Sequence, residues 1–189
     1  TRFRNVTGVQ TCALPIWAET ALGLQVKEIM AGGGLVDDAL ITAVVQERLL
    51  QPDTEGGFLL DGYPRTVAQA QALDAFIKDR APLVIVELHV PEEEVIRRLA
   101  ARMVCSECGA NAQDDRDFSS CSNCGGKMVP RVDDAEEVVR KRLDVYRKQT
   151  EPLVQYYGSR ATYRRVNGDQ LADAVTGALI VAVDDACSA

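Results

Sequence analysis

The 189-residue sequence predicts an α/β protein, a parallel sheet with flanking helices that carries one small inserted module. Three observations lead there. Strand-like and helix-like segments alternate along the chain. The two longer strand-like runs lack polar alternation, as parallel strands covered on both faces do. A four-cysteine segment then interrupts that order between residues 105 and 124. With 47% hydrophobic and 26% charged residues, the chain has the composition of a folded core. Its length suits one sizeable core with a small insert.

The elements follow in order. "GLQVKEIMAGGGLVDDALITAVVQERLL" reads as two helices joined at Gly32, Gly33 and Gly34. The second starts near Asp37 or Asp38, where a carboxylate caps free N–H groups. "GGFLLDGYP" is a short apolar run between turn residues, a buried strand ending at Asp61-Gly62. "TVAQAQALDAFI" is a helix and "APLVIVELHV" a second buried strand. Pro91 opens the helix "EEEVIRRLAARMV" at its first position. After the cysteines, one long helix runs from about Asp134 to Tyr157. "TYRRVNG" is a last short strand, and "DQLADAVTGALIVAVDD" a last helix. Three strands are few for a parallel sheet of this kind.

Charge narrows the function. A net charge of −7 argues against a broad nucleic-acid surface, which needs a basic face. A small phosphorylated ligand remains compatible, because a few local arginines outweigh the global field. No apolar run approaches membrane-spanning length. "VQTCALPIW" is broken by Pro15 and does not read as a signal peptide.

Six cysteines are present, four of them as Cys105-x2-Cys108-x12-Cys121-x2-Cys124. Two such knuckles suit one tetrahedral zinc ion, and paired spacing of this kind reads as a metal site, not a secreted disulfide framework. The setting expected is reducing and cytoplasmic. Four thiolates leave no open position for water, so the metal is structural and supplies the folding free energy of an insert too small for its own core. Thiolate ligation leaves zinc and iron both open. Gly109 and Gly125 follow the second cysteine of each knuckle and tolerate the tight backbone there. Asp114, Asp115 and Asp117 between the knuckles have the wrong sign for phosphodiesters, which disfavours a nucleic-acid ribbon.

Arginines occupy unusual positions. On the long helix, with Val138 as the angular reference, Val139, Tyr146 and Leu153 fall within about 100° and form an apolar stripe. Arg142 falls at about 40°, inside that stripe. A guanidinium there needs a cleft, a buried ion pair or a snorkelling stem, and periodicity leaves these open. Arg98 and Arg102 are four apart and share a helix side, flanking Val95, Leu99 and Met103. Arg97 points away as a solvated charge. Arg131 lies just past the cysteine insert. Four guanidiniums near the insert's base suit bidentate grip of phosphate.

On these residues a resemblance can be stated. "GFLLDGYPRTVAQAQAL" resembles the strand–Asp-Gly-Tyr/Phe-Pro-Arg–helix signature of adenylate kinases. "RMVCSECG…CSNCGGKMVPRVDDAEEVVRKRLDVYRKQTEPLVQYY" resembles the zinc-bearing LID and following helix of their long bacterial form. "LVDDALITAVVQERL" and "YRRVNGD" are similar as well. The resemblance implies a P-loop kinase-like parallel sheet with a zinc-binding LID insert, and reversible phosphoryl transfer from Mg-ATP to AMP giving two ADP. It implies that Arg65 binds the AMP phosphate and Gln69 its base, that Gly62 allows close backbone approach, and that Val36 lines the adenine pocket. Asp61 is then expected to orient Mg2+ through water. Arg98, Arg102, Arg131 and Arg142 are expected to neutralise the phosphates, with Asp133 or Asp134 supporting LID closure. Zn2+ on the four cysteines stiffens the lid. ATP, AMP and ADP are the expected partners of a monomer, with neither nucleic acid nor membrane.

The family's Gly-x-x-x-x-Gly-Lys loop is expected before the first of these motifs. Gly126-Lys127 does not supply it: residue 121 is Cys, and Met128 follows the lysine. The sheet is therefore expected to lack its first strands, the absent part being about forty residues, more than one strand–loop–helix unit. The expected absentee lies between the "FLLDG" and "VIVEL" strands, and Val9–Ile16 are a candidate substitute strand. "NVTGVQTCALPI" resembles translated sequencing adapter. The expected divisions are a foreign segment at 1–17, a remnant of the AMP-binding domain at 18–36, core at 37–102, the zinc LID at 103–132, and core at 133–189. Two other readings are carried: a kinase for another nucleoside monophosphate, and a non-catalytic zinc-binding interaction module.

Overall fold

The computed structural model describes residues 7–10, 20–31, 36–80, 82–112, 120–131 and 134–188, with 7–10, 30 and 31 described by their backbone alone. The elements run β1 (Thr7–Gln10), α1 (Ala21–Ala31), α2 (Asp38–Leu49), β2 (Phe58–Asp61), α3 (Val67–Ile77), β3 (Ile85–His89) and α4 (Glu92–Ala100). They continue with β4 (Met103–Cys105), β5 (Met128–Pro130), α5 (Glu136–Val145), α6 (Pro152–Tyr157), β6 (Tyr163–Asn167) and α7 (Ala172–Cys187). The class is α/β as expected, with parallel pairing in β1–β2 and β3–β6. Two compact units form: Thr1–Ala81 with Gln149–Tyr156, and Pro82–Lys148 with Tyr157–Ala189.

In the first unit β1 pairs with β2, from Thr7 opposite Phe58 to Gln10 opposite Asp61. Val9 and Gln10 of the candidate substitute strand lie in β1; residues 11–16 lie outside the described residues. Helix α2 begins as its sequence requires: the Asp37 carboxylate accepts from the Leu40 amide at 2.7 Å, a cap that contributes about 1 kcal/mol. It ends at Leu49, whose carbonyl accepts from the Thr54 hydroxyl at 2.8 Å and the Arg80 guanidinium at 2.7 Å. Those bonds satisfy an acceptor the helix itself leaves unpaired, and the cation suits the negative helix end. Val44, Val45 and Leu49 are fully buried, and Ala70, Leu73 and Ile77 are buried at helical spacing on α3. Each buried Val, Leu or Ile contributes about 1.5–3 kcal/mol.

In the second unit β3 and β6 pair from Ile85–Tyr163 to His89–Asn167, and α7 packs on them, burying Ala182 and Ala186. Gly168 ends β6. Its amide donates to the His89 carbonyl at 2.8 Å, and a Cβ there would stand 2.6 Å from Val90. Strands β4 and β5 form an antiparallel hairpin that frames the cysteines.

Three expectations need correction. The strands are not covered on both faces: Leu59 of β2 is 57% exposed, and Leu88 of β3 is exposed too. A two-stranded ladder offers less surface for helices to cover than a wide sheet. The long helix is not continuous: α5 ends at Val145, and Tyr146–Thr150 form a π turn before α6. Pro152 has no N–H, and its ring crowds the carbonyl four residues back, at Lys148; a wider turn relieves both. The helix after Pro91 stops at Ala100, with Pro91 as its N-cap, and Met103 and Val104 enter β4. Among the described residues no helix is long and apolar enough to cross a membrane.

Candidate functional site

The first unit holds the loop Asp61–Thr66 between β2 and α3. Asp61 is exposed at the end of β2. Gly62 has φ +77°, a left-handed backbone that glycine adopts without strain. The Arg65 side chain is exposed, and its Nε donates to the Gly62 carbonyl at 2.8 Å. Thr150 donates to the Arg65 carbonyl at 2.9 Å. Gln69 is only 5% exposed. Its Oε1 accepts from the Arg65 amide at 2.7 Å, and its Nε2 donates to Asp38 Oδ1 at 2.7 Å. Val36 is half-buried just ahead of α2. Asp38 entered the sequence reading only as an alternative cap of α2, a place that Asp37 takes, and Thr66 did not enter it. The pattern Thr66-x-x-Gln69 is a capping-box signature that points to the α3 end of this network, with Asp38 outside it.

The other four arginines lie in the second unit. Arg102 meets Asp134 in a bidentate pair, Nε to Oδ2 and Nη2 to Oδ1, both at 2.7 Å. The Asp134 side chain is 4% exposed and that of Arg102 is 28% exposed. Arg142 Nη1 stands 3.8 Å from the same Oδ1. The Arg131 carbonyl accepts from the Asp134 amide at 3.1 Å. The Asp134 carboxylate therefore faces two of the four guanidiniums, those of Arg102 and Arg142, while its bond to Arg131 runs between backbones. Arg98 is held apart from them: its Nε donates to Glu94 at 2.6 Å and its Nη1 to the Gly168 carbonyl at 3.0 Å, with Asp169 at 3.6 Å. Hydrogen bonds from Arg97 and then Arg98 hold the Glu94 carboxyl down at about 2. Asp133 lies outside the described residues.

Two details of the sequence reading change. Arg102 sits beyond the end of α4, so it does not share a helix side with Arg98; the chain has already turned toward β4. The buried line of α5 passes through Val139, while Val138 and Tyr146 are exposed. Arg142 is therefore at the edge of the packed face, 55% exposed, with Asp134 nearby.

In the cysteine hairpin the Sγ atoms of Cys105, Cys108, Cys121 and Cys124 all lie within 4.8 Å of one another. Cys105–Cys124 and Cys108–Cys121 stand at 3.4 and 3.6 Å. A tetrahedron with Zn–S of about 2.3 Å has edges of about 3.8 Å, so the set fits a zinc ion. Gly109 and Gly125 have φ of +71° and +76°, as the knuckle reading expects. Amides of Glu107 and Cys108 point at Cys105 Sγ, and that of Asn123 at Cys121 Sγ. The Ala110 amide, then the Asn123 side chain, hold the Cys108 thiol down at about 6. At Cys124 the Gly126 amide favours the thiolate, but hydrogen bonds with Cys105 and Cys108 outweigh it and push the thiol up to about 12. Four clustered thiolates oppose the last ionisation, and a dication relieves that opposition.

The adenylate kinase family model matches residues 14–162. An adenylate kinase of Desulforudis audaxviator is 44% identical over 170 residues, covering 87% of this chain and 79% of its own. That of Moorella thermoacetica is 44% identical over 162 residues, covering 82% and 75%, and that of Archaeoglobus fulgidus 43% over 155 residues, covering 79% and 71%. With the Asp61–Arg65 loop, the arginines gathered at Asp134 and the cysteine hairpin in one α/β chain, this extent of likeness is decisive: the chain belongs to the adenylate kinase family.

Proposed function

We propose that this chain is built for reversible phosphoryl transfer between Mg-ATP and AMP, giving two ADP. The gathering of Arg102 and Arg142 about the buried Asp134, with Arg131 three residues ahead of it in the chain, carries the reading. Phosphoryl transfer needs alignment and charge neutralisation more than covalent chemistry, and planar guanidiniums on one carboxylate are poised to turn to phosphate oxygens. Asp134 keeps them pre-oriented. Arg98, in the last turn of α4, adds a further cation. Arg65 receives the AMP phosphate, Gln69 reads the base, Val36 borders the adenine, and the left-handed Gly62 lets backbone approach the nucleotide. Asp61 offers a hard carboxylate oxygen through which water on Mg2+ is oriented.

The four cysteines hold Zn2+ as a structural ion, since all four positions are taken by sulfur. Residues 103–132 then act as a stiffened lid, with Asp133 or Asp134 supporting its closure. Bringing arginines in while keeping water out suppresses ATP hydrolysis; the adenylate kinase lid is itself a standard instance of such gating. The chain works as a monomer in the cytoplasm, where its thiols stay reduced.

The 189 residues contain no Gly-x-x-x-x-Gly-Lys followed by Ser or Thr. Such a loop supplies the backbone amides and lysine that cradle ATP phosphates. This 189-residue chain is therefore a poor catalyst. Two measurements test the reading. Thermal protection by a bisubstrate dinucleotide is expected, whereas stabilisation by zinc alone refutes the kinase assignment and favours a metal-binding module. In a coupled assay turnover falls orders of magnitude below an ordinary adenylate kinase; normal turnover refutes the impairment.

A further inference from the structure

Asp38 lies at the first position of α2, and the cap that the sequence offered to either aspartate is taken by Asp37. The two carboxylate oxygens of Asp38 are both engaged across a long sequence gap. Oδ2 accepts from the Thr66 hydroxyl at 2.7 Å, and Oδ1 accepts from Gln69 Nε2 at 2.7 Å. Thr66 is the N-cap of α3, and its Oγ1 accepts from the Gln69 amide at 3.2 Å. One carboxylate thus joins the start of α2 to the start of α3. The opposite end of the Gln69 amide is held as well, because Oε1 accepts from the Arg65 amide.

The chemistry of these partners is directional. A carboxylate only accepts and a backbone N–H only donates, so the NH2 of Gln69 must face Asp38 and its oxygen must face Arg65. A carboxamide turned by 180° would set donor against donor and acceptor against acceptor. Each side keeps one unused function: a second N–H and a second oxygen lone pair. That donor-and-acceptor pair matches the acceptor-and-donor edge of adenine, the match by which Gln recognises this base. Hypoxanthine replaces the donor amino group by an oxo group and reverses half of that match.

We propose that Asp38 is a positioning residue that fixes the sense of the Gln69 carboxamide, and through it the preference of the monophosphate site for adenine. The inference rests on the assignment of Gln69 to the base. Asp38 itself touches no substrate. Its neighbour Asp37 caps the helix, so replacing Asp38 leaves that cap in place.

The test compares binding of AMP and IMP to the full chain by calorimetry, in the parent, Asp38→Asn and Asp38→Glu, with thermal melts alongside. Asparagine keeps the shape but presents either a donor or an acceptor, so the Gln69 amide loses one of its two constraints. We expect AMP binding to weaken about tenfold in D38N and the AMP/IMP ratio to shrink by a similar factor, with D38E retaining more of the ratio than D38N. A ratio unchanged in D38N, or both nucleotides weakened equally, overturns the proposal and leaves Asp38 a merely structural link. A parent chain that binds neither nucleotide overturns the assignment of Gln69 to the base, and this inference with it. A parent that prefers AMP together with an unaltered D38N overturns the inference alone.

Discussion

Truncating Asp134 to alanine tests the gathering of arginines most directly. The carboxylate is 4% exposed and takes two hydrogen bonds of 2.7 Å from Arg102. At about 4 Å between charge centres and an effective dielectric constant of about 20, the attraction is about 4 kcal/mol before desolvation. Removing one partner of a buried pair costs about 3–5 kcal/mol, since the other charge is left behind. Arg102 is 28% exposed and regains some water, which puts the cost near the lower end, about 3 kcal/mol. For a chain of this size that corresponds to a fall in Tm of about 6–12 °C. The assay is a thermal melt by circular dichroism, with Asp134→Asn beside it; the amide keeps one acceptor for Arg102 and should lose about half as much. A D134A variant melting within about 2 °C of the parent would show that Asp134 organises nothing, and the argument for pre-oriented guanidiniums would fall with it.

Three further outcomes are expected. In Gly126→Ala the new Cβ would lie 2.9 Å from Cys105 Sγ and 2.6 Å from Glu107 Cγ; Glu107 can move aside but a metal-held sulfur cannot. Zinc affinity, read by competition with a chromogenic chelator, should fall by about 5- to 150-fold, the equivalent of about 1–3 kcal/mol of overpacking; parent-like affinity would argue against sulfur being held there. Arg142→Ala should weaken dinucleotide binding about tenfold while moving Tm by less than about 2 °C, because its contact with Asp134 is long and exposed; comparable losses in both would refute a phosphate role. Glu94 has its pKa lowered from 4.5 to about 2, so its contribution to stability is present above about 4.5 and is lost as pH falls toward 2. Urea midpoints of the parent and Glu94→Gln should therefore differ at pH 6 and converge near pH 2, and a constant gap across that range would contradict the assignment.

Much of this protein was legible in the amino-acid order because the signals are local. Helix α2 starts where Asp37 can cap it, the hairpin glycines fall where φ is positive, and four thiols at knuckle spacing meet because each pair spans one tight turn. Composition and net charge argued against a broad nucleic-acid surface without reference to any fold. The Asp-Gly-Tyr-Pro-Arg stretch and the cysteine insert carried the family resemblance. Helical periodicity misplaced residues where the backbone leaves the regular helix, at a local break or toward a distant partner. The π turn ahead of Pro152 shifts the phase of everything after Val145, and Arg102 leaves α4 to reach a carboxylate 32 positions on. Asp38 and Gln69 stand 31 residues apart, and no local pattern links a helix start to a side chain on the next helix. Spacing along the chain therefore determined which residues could ligate, cap or turn. Packing decided which charge each guanidinium and carboxamide faces, because a buried polar group must find its partner wherever the fold brings one within reach.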